Sequence, residues 1–556
     1  MFLELCLAVV IIPLAFLFPR LGASFFSATE RSLSHFASRR WVAILTTFLL
    51  AVSLRLAVLP VEPIPVPVVH DDFSYQLMAD TFAHGRLTNP TPALWQHFET
   101  FHENVRPTYC SKFFPAQGAF LAIGKILFGH PFWGVVFSLG LMSAAMCWAM
   151  QGWMPPRWAF LGALLFTMRL GVFGYWANSY WGGSVAAVGG ALVIGALPRI
   201  KRKQHVGHAV TMGIGLAILA NTRPYEGLVF SLGVFAVLAV FLVRRMEWAR
   251  AVSRVILPIG AVMVCTIAFM CYYFWRTTGD PLRPPYAAYS ATYDSAPFVP
   301  WRAIGQAPHY GNAVMKNFYL GNIRDQYMMY RNSPFASLVV RALFFWSFFI
   351  GPLLSLPLLA VCWVLPYGVK FRTFPVKTQE ILVITGCGVL AIAPIIFFSP
   401  HYAAPVACSL YIVLMLCMRR VWLWKIHDRA VGRSIVRGTV AACVVVLGFR
   451  ASADLLHLPQ SSLGNIDFQS EQMKQRSRLL VLLQHETGRQ LIVVRYAPDH
   501  IPHEEWVFNE ADINSAKIVW AREMDPADNQ RLIDYFKDRQ AWLLEPDKNP
   551  LGLTKY

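Results

Sequence analysis

The chain reads as mainly α: a polytopic membrane helix bundle of about twelve spans carrying a small extracytoplasmic α/β domain at its C-terminal end. Three observations carry that expectation. Of the 556 residues, 56% are apolar and only 14% charged, with 18 Trp and 40 Phe, more apolar surface than a soluble protein of this size needs. Apolar runs of spanning length recur as far as residue 450. The net charge of +18 is spread over short loops between those runs, which is the positive-inside pattern and argues against a nucleic-acid-binding face.

Taken in order, the runs are 2–18, 41–60, 132–152, 158–176, 183–198, 208–221, 226–243, 255–274, 336–366, 381–398, 402–418 and 435–450. Placing 19–40 in the cytoplasm and alternating gathers Lys and Arg in the cytoplasmic loops 19–40, 153–157, 199–207, 244–254, 367–380 and 419–437. The first run has no basic leader and carries Glu4, so it reads as a retained span with its N-terminus outside. Nine of the ten cysteines lie in or beside apolar runs, which suits small buried hydrophobes rather than disulfides or metal ligands.

The membrane module is expected over 1–450, with two long outer segments. The first, 61–131, opens with Pro60, Pro63, Pro65 and Pro67, which hold it extended, and ends in an interfacial amphipathic helix from Pro115 to Lys125. The second, 275–335, is rich in Tyr, Pro, Trp and Arg without clean periodicity and reads as a structured loop or lid. Over 451–556, a helix near 466–486, strands at 490–496 and 517–521, a helix near 527–539 and a strand at 541–545 make the α/β domain.

Polar exceptions collect on the outer side. His70-Asp71-Asp72-Phe73-Ser74-Tyr75 follows a span directly, and paired acids there are costly unless they bind or react. Lys112 precedes the interfacial helix, and Asn178 to Gly183, Arg223-Pro224-Tyr225-Glu226 and His401-Tyr402 mark outer turns. Each has a structural alternative: an Asp as helix N-cap, Lys112 as a snorkelling cation, Arg223 with Glu226 as a local ion pair, and His401-Tyr402 as an aromatic-belt anchor. His97, Glu99, His102 and Glu103 fit no standard metal spacing. No metal ligand set is spelled out, and a divalent cation stands as the alternative to a metal-free site.

The order of an acidic pair with a following Tyr (Asp71-Asp72-Phe-Ser-Tyr75), a basic residue before a proline that opens an interfacial helix (Lys112-Phe-Phe-Pro115), and a late turn His401-Tyr402-Ala-Ala-Pro405 resembles the GT-C superfamily of membrane glycosyltransferases. Its members include protein O-mannosyltransferases and the lipid A aminoarabinose transferase. The likeness covers roughly 41–450; the span before it and the lack of a large β-rich outer domain are departures. It implies an enzyme of the bacterial inner membrane, moving a sugar from a polyprenyl-phosphate donor to a lipid, glycan or protein acceptor outside the cytoplasm. By family position Asp71 would be the base, and Asp72 would position substrate or bind a metal. Tyr75, Glu226 and Tyr402 would line the substrate site, and Lys112, Arg223 and His401 would hold the phosphate. A transporter or flippase of a lipid-linked or small anionic substrate, and a cell-envelope glycan polymerase or ligase, are the alternatives.

Overall fold

The computed structural model describes residues 1–365, 370–453 and 470–556. The last residue of the run 336–366, the start of the loop 367–380 and the start of the helix expected near 466 lie outside them. Seven helices among the described residues are long and apolar enough to cross a membrane: Arg40–Ala57, Phe132–Trp153, Ser184–Lys203, Pro224–Arg245, Trp248–Thr278, Pro400–Trp422 and Val431–Ala451. The chain is an integral membrane protein.

The remaining expected spans are shorter or broken. Phe2–Leu17 and Val206–Ala220 are apolar but short. The run 158–176 is helical only over Pro156–Leu170, ending at Gly171, and 381–398 only over Val376–Ile392, just before Pro394. The run 336–366 is two helices, Pro334–Phe349 and Gly351–Val364, bent by 100°. The bend falls at Gly351, whose φ of +64° only glycine adopts freely, followed by Pro352, which has no N–H to continue the ladder. The Arg169 guanidinium fills the space a Cβ at Gly351 would need, and Arg169 Nη1 donates to Glu4 Oε1 at 2.6 Å. The N-terminal helix is thus pinned by a buried ion pair.

The loop 19–40 holds a helix the apolar runs did not reveal, Ala23–Ser38, anchored by Arg437, which donates to both oxygens of Glu30 at 2.7 and 2.9 Å. At the opposite end, the first outer segment folds as the helix His70–Ala83, a three-stranded sheet (Asn89–Pro90, Thr108–Ser111 and Glu103–Asn104) and the helix Pro115–Phe128. The last of these exposes Ile123, Ile126, Leu127 and Phe128, as an interfacial helix should. The segment 275–335 is more helical than its composition suggested, with Pro285–Tyr293 and a helical stretch from Ala313 to Asn332. Its Tyr289, Tyr293, Phe318 and Tyr319 form a cluster around Phe101.

Residues 470–556 form a four-stranded sheet in the order Ile518–Arg522, Arg489–Val494, Arg539–Glu545, Gly552–Lys555. The first three strands are parallel and the last, not expected from the sequence, pairs antiparallel at the edge. Helices Glu471–His485 and Pro526–Tyr535 accompany it. This unit packs on the first outer segment: Phe73 stacks on Phe508 at 4.0 Å, and the Ala511 N–H donates to Asp80 at 2.8 Å.

Candidate active site

Three junctions set the site. The Ser184–Lys203 helix meets the 3-10 turn Pro400–Val406 backbone to backbone at Gly190, where any Cβ would collide with the Pro405 carbonyl, and this seats His401. Arg55, fully buried, donates to the carbonyls of Ala177, Glu62 and Pro63, tying the end of the Arg40–Ala57 helix to the turn before Gly183. The Ala116 N–H donates to Asn221 O at 2.9 Å, bringing the interfacial helix beside Arg223.

The acidic pair divides its work. Asp72, expected beside Asp71 as a catalytic group, has both oxygens occupied by backbone donors: Oδ1 accepts from Tyr180 N at 2.8 Å, and Oδ2 from Val68 N and Val69 N at 3.1 and 3.3 Å. The bond from Val69 is the reciprocal half of a capping box, because Asp72 stands three residues past the N-cap. Burial pushes its carboxyl up to about 7, opposed by those three N–H groups.

Asp71 points elsewhere. Its Oδ1 accepts from His102 Nδ1 at 2.6 Å, and both side chains keep partial access to solvent, 20% and 17% exposed. Burial would raise the Asp71 carboxyl, but His102, Lys112 and His401 outweigh it and hold the carboxyl well below the usual range. Burial and Lys112 push His102 down to about 4, so at neutral pH an ionised Asp71 faces a neutral imidazole that donates through Nδ1.

Around Asp71 lie the other expected residues. Lys112 Nζ sits over the rings of Tyr289 (4.7 Å), Phe113 and Tyr286 (both 5.3 Å), with no carboxylate at ion-pair distance among the described residues. Burial lowers its ammonium to about 8, against the pull of Asp294 and Asp71. Tyr75 stacks on Phe113 at 4.5 Å. Arg223 lies 4.5 Å over the Tyr402 ring and within electrostatic reach of Tyr75, Glu226 and Asp71; it makes no ion pair with Glu226 among the described residues. His401 is held twice by Tyr175: its backbone N–H donates to the Tyr175 hydroxyl at 2.8 Å, and its Nδ1 shares a hydrogen bond with the same hydroxyl at 3.0 Å. Its Nε2 is buried with no hydrogen-bond partner among the described residues.

The stretch His97 to Glu103 is dispersed rather than gathered around an ion. His97 Nδ1 donates to Arg522 O, Glu99 accepts from the Tyr293 hydroxyl, His102 faces Asp71, and Glu103 accepts from the Tyr109 hydroxyl. Among the described residues no three His, Cys, Asp or Glu side chains group as metal ligands. The sequence did not single out Tyr286, Tyr289 and Asp294, whose only signal was an unusual density of tyrosine, nor the partnership of His102 with Asp71.

No family model and no curated protein matches the chain. Among solved structures, ArnT from Cupriavidus metallidurans bound to undecaprenyl phosphate is 11% identical, with 89% of this chain and 92% of that chain covered and a TM-score of 0.48. The Archaeoglobus fulgidus oligosaccharyltransferase AglB, in complex with an inhibitory peptide and a dolichol-phosphate, is 10% identical over 91% of this chain and 69% of that chain, with a TM-score of 0.45. At this identity, and with TM-scores below one half, such a likeness fixes neither reaction nor ligand for this chain.

Proposed function

We propose that the chain is a membrane glycosyltransferase that moves a sugar from a polyprenyl-phosphate carrier to a lipid, glycan or protein acceptor. The observation that carries this reading is that an ionised, solvent-reachable Asp71 lies within electrostatic reach of three cationic or N–H-donating side chains: Lys112, Arg223 and His401. Acceptor activation needs the first and phosphate departure needs the second.

In this reading the free oxygen of Asp71 takes the proton of an acceptor hydroxyl as that oxygen bonds to the anomeric carbon. The bond from the anomeric carbon to the carrier phosphate breaks, and its electron pair leaves on the phosphate oxygen. Lys112, Arg223 and the His401 imidazole stabilise that charge. Asp72 positions the helix bearing Asp71, and Tyr75, Glu226 and Tyr402 line the substrate side. No step is routed through a metal ion. The chain crosses a bacterial inner membrane about twelve times, with the 451–556 domain on the extracytoplasmic face beside Asp71.

The test uses the purified chain in liposomes, radiolabelled undecaprenyl-phosphate sugars and an extract of cell-envelope lipids and glycans as acceptors. Wild type releases labelled sugar onto an acceptor, and Asp71→Asn falls by about 10²–10⁴-fold. Full turnover in Asp71→Asn, or movement of intact donor across the bilayer without transfer, overturns the reading.

A further inference from the structure

We propose that His102 is the positioning residue of this site: its Nδ1–H fixes one oxygen of Asp71 and leaves the other free to meet the acceptor. The proposal rests on the glycosyl-transfer reading for its consequence, but not for its geometry. His102 sits at φ +61°, a left-handed backbone uncommon outside Gly, although His, Asn and Asp adopt it more readily than other side chains. Such a conformation persists only when the surroundings over-determine it.

Here they do. The His102 N–H donates to the Tyr289 hydroxyl at 2.8 Å, and its carbonyl accepts from Ser74 Oγ at 2.6 Å and from Lys112 N at 3.0 Å. Ser74 Oγ also pairs with Ser111 Oγ at 2.7 Å, joining the Asp71 helix to the strand beside it. The ring stands edge-on to His70, Phe113 and Tyr289, 5.5 to 6.0 Å between centroids, so it cannot rotate away from Asp71. Three chain segments, around Ser74, Lys112 and Tyr289, therefore converge to hold one imidazole against one carboxylate.

The hydrogen count follows from the pair itself. An ionised carboxylate only accepts, so Nδ1 carries the proton and Nε2 does not. His102 is then unable to donate to a phosphate through Nε2, and the phosphate falls to the other cations. The charged and titratable groups facing the pair are Lys112, Arg223, His401, His70, His503 and Asp72, with the phenols of Tyr75, Tyr286, Tyr289 and Tyr402. None of them is within hydrogen-bond distance of Asp71, so His102 makes the one hydrogen bond to its carboxylate among the described residues, beside the longer-range pull of Lys112 and His401.

The test reads Asp71 directly. N,N′-dicyclohexylcarbodiimide reacts with a protonated carboxyl, and peptide mass mapping of the full chain in detergent gives the pH midpoint of adduct formation at Asp71. His102→Gly keeps the left-handed backbone and removes the donor; His102→Asn keeps both the backbone tolerance and a short N–H donor. The expected result is a midpoint at least about one pH unit higher in His102→Gly, a ten-fold change in ionisation, with His102→Asn near wild type. A rate raised equally at every pH, with the midpoint unmoved, means only that the site was opened and overturns the proposal.

Transfer assays on the same variants separate positioning from base chemistry. Positioning predicts that His102→Asn restores most of the turnover lost in His102→Gly, with the loss in kcat and the donor KM unchanged. Equal inactivity of both, with Asp71 titrating as in wild type in the Asn variant, would make the imidazole itself the base and overturn the assignment. Since the carbodiimide midpoint needs no substrate, it stands or falls independently of whether the chain transfers sugar; activity retained in Asp71→Asn would sink the function alone.

Discussion

Asp72 Oδ1 and the Tyr180 N–H lie 2.8 Å apart, a bond that spans 108 residues and fastens the helix carrying Asp71 to the turn before the Ser184–Lys203 helix. Asp72 is therefore framework for the helix that presents Asp71. Asp72→Ala leaves three buried N–H groups without an acceptor and is expected to cost about 1–3 kcal/mol. Asp72→Asn keeps an oxygen for Tyr180 but not for both Val68 and Val69, so its melting temperature in detergent should fall between those of wild type and Asp72→Ala.

Lys112 sets the alkaline side of activity. With its ammonium lowered to about 8 by burial, the cation is present below that pH and is lost as pH rises through it. Asp71, held well below the usual range, stays ionised across the same window. Transfer should thus be level at neutral pH and decline above about 8, while Lys112→Arg, whose guanidinium stays charged, should lose that decline. A rate profile with the same alkaline limb in Lys112→Arg would remove Lys112 from this role.

Glu103 gives a stability prediction of the opposite sign from the usual acid. Burial pushes its carboxyl up from 4.5 to about 8, against the Tyr109 hydrogen bond and Arg476, and Oε1 has no partner. The folded protein therefore holds a proton that the unfolded chain releases above about 4.5. That contribution is complete below 4.5 and is lost as pH rises through about 8. Glu103→Gln should flatten this part of the decline, read as melting temperature between pH 6 and 9.

Arg55 is the third framework group. Its guanidinium serves three backbone carbonyls and lies 4.8 Å from the Phe132 ring. Arg55→Met keeps the volume but leaves those carbonyls unpaired, and should cost about 2–4 kcal/mol. Thermal unfolding followed by tryptophan fluorescence would measure it.

Much of this was legible from one dimension. An acidic pair directly after an apolar run and a cation before a proline-led helix are local patterns, as were the strands near 490 and 518, though not their parallel pairing. The missing parts are non-local. His102 lies 31 residues from Asp71 and reaches it only because a three-stranded sheet folds the intervening chain back. Asp72 reads as half of a pair until Tyr180 arrives from elsewhere. Hydropathy also merged Pro334–Phe349 with Gly351–Val364, since one glycine cannot interrupt an apolar average although it can turn the backbone. The helix Ala23–Ser38 escaped because its apolar residues, Phe25, Phe26, Leu33 and Phe36, are spaced along a surface and do not form a run.

Gly351 carries a consequence for assembly in the bilayer. Because the Arg169 guanidinium lies where any side chain at 351 would have to stand, even a methyl there would evict it and leave the Glu4 carboxylate without its nearer cation. Arg450, at 3.5 Å, would remain the one side-chain cation paired with that buried charge among the described residues. The smallest residue in the chain thus determines whether the first helix can stay docked.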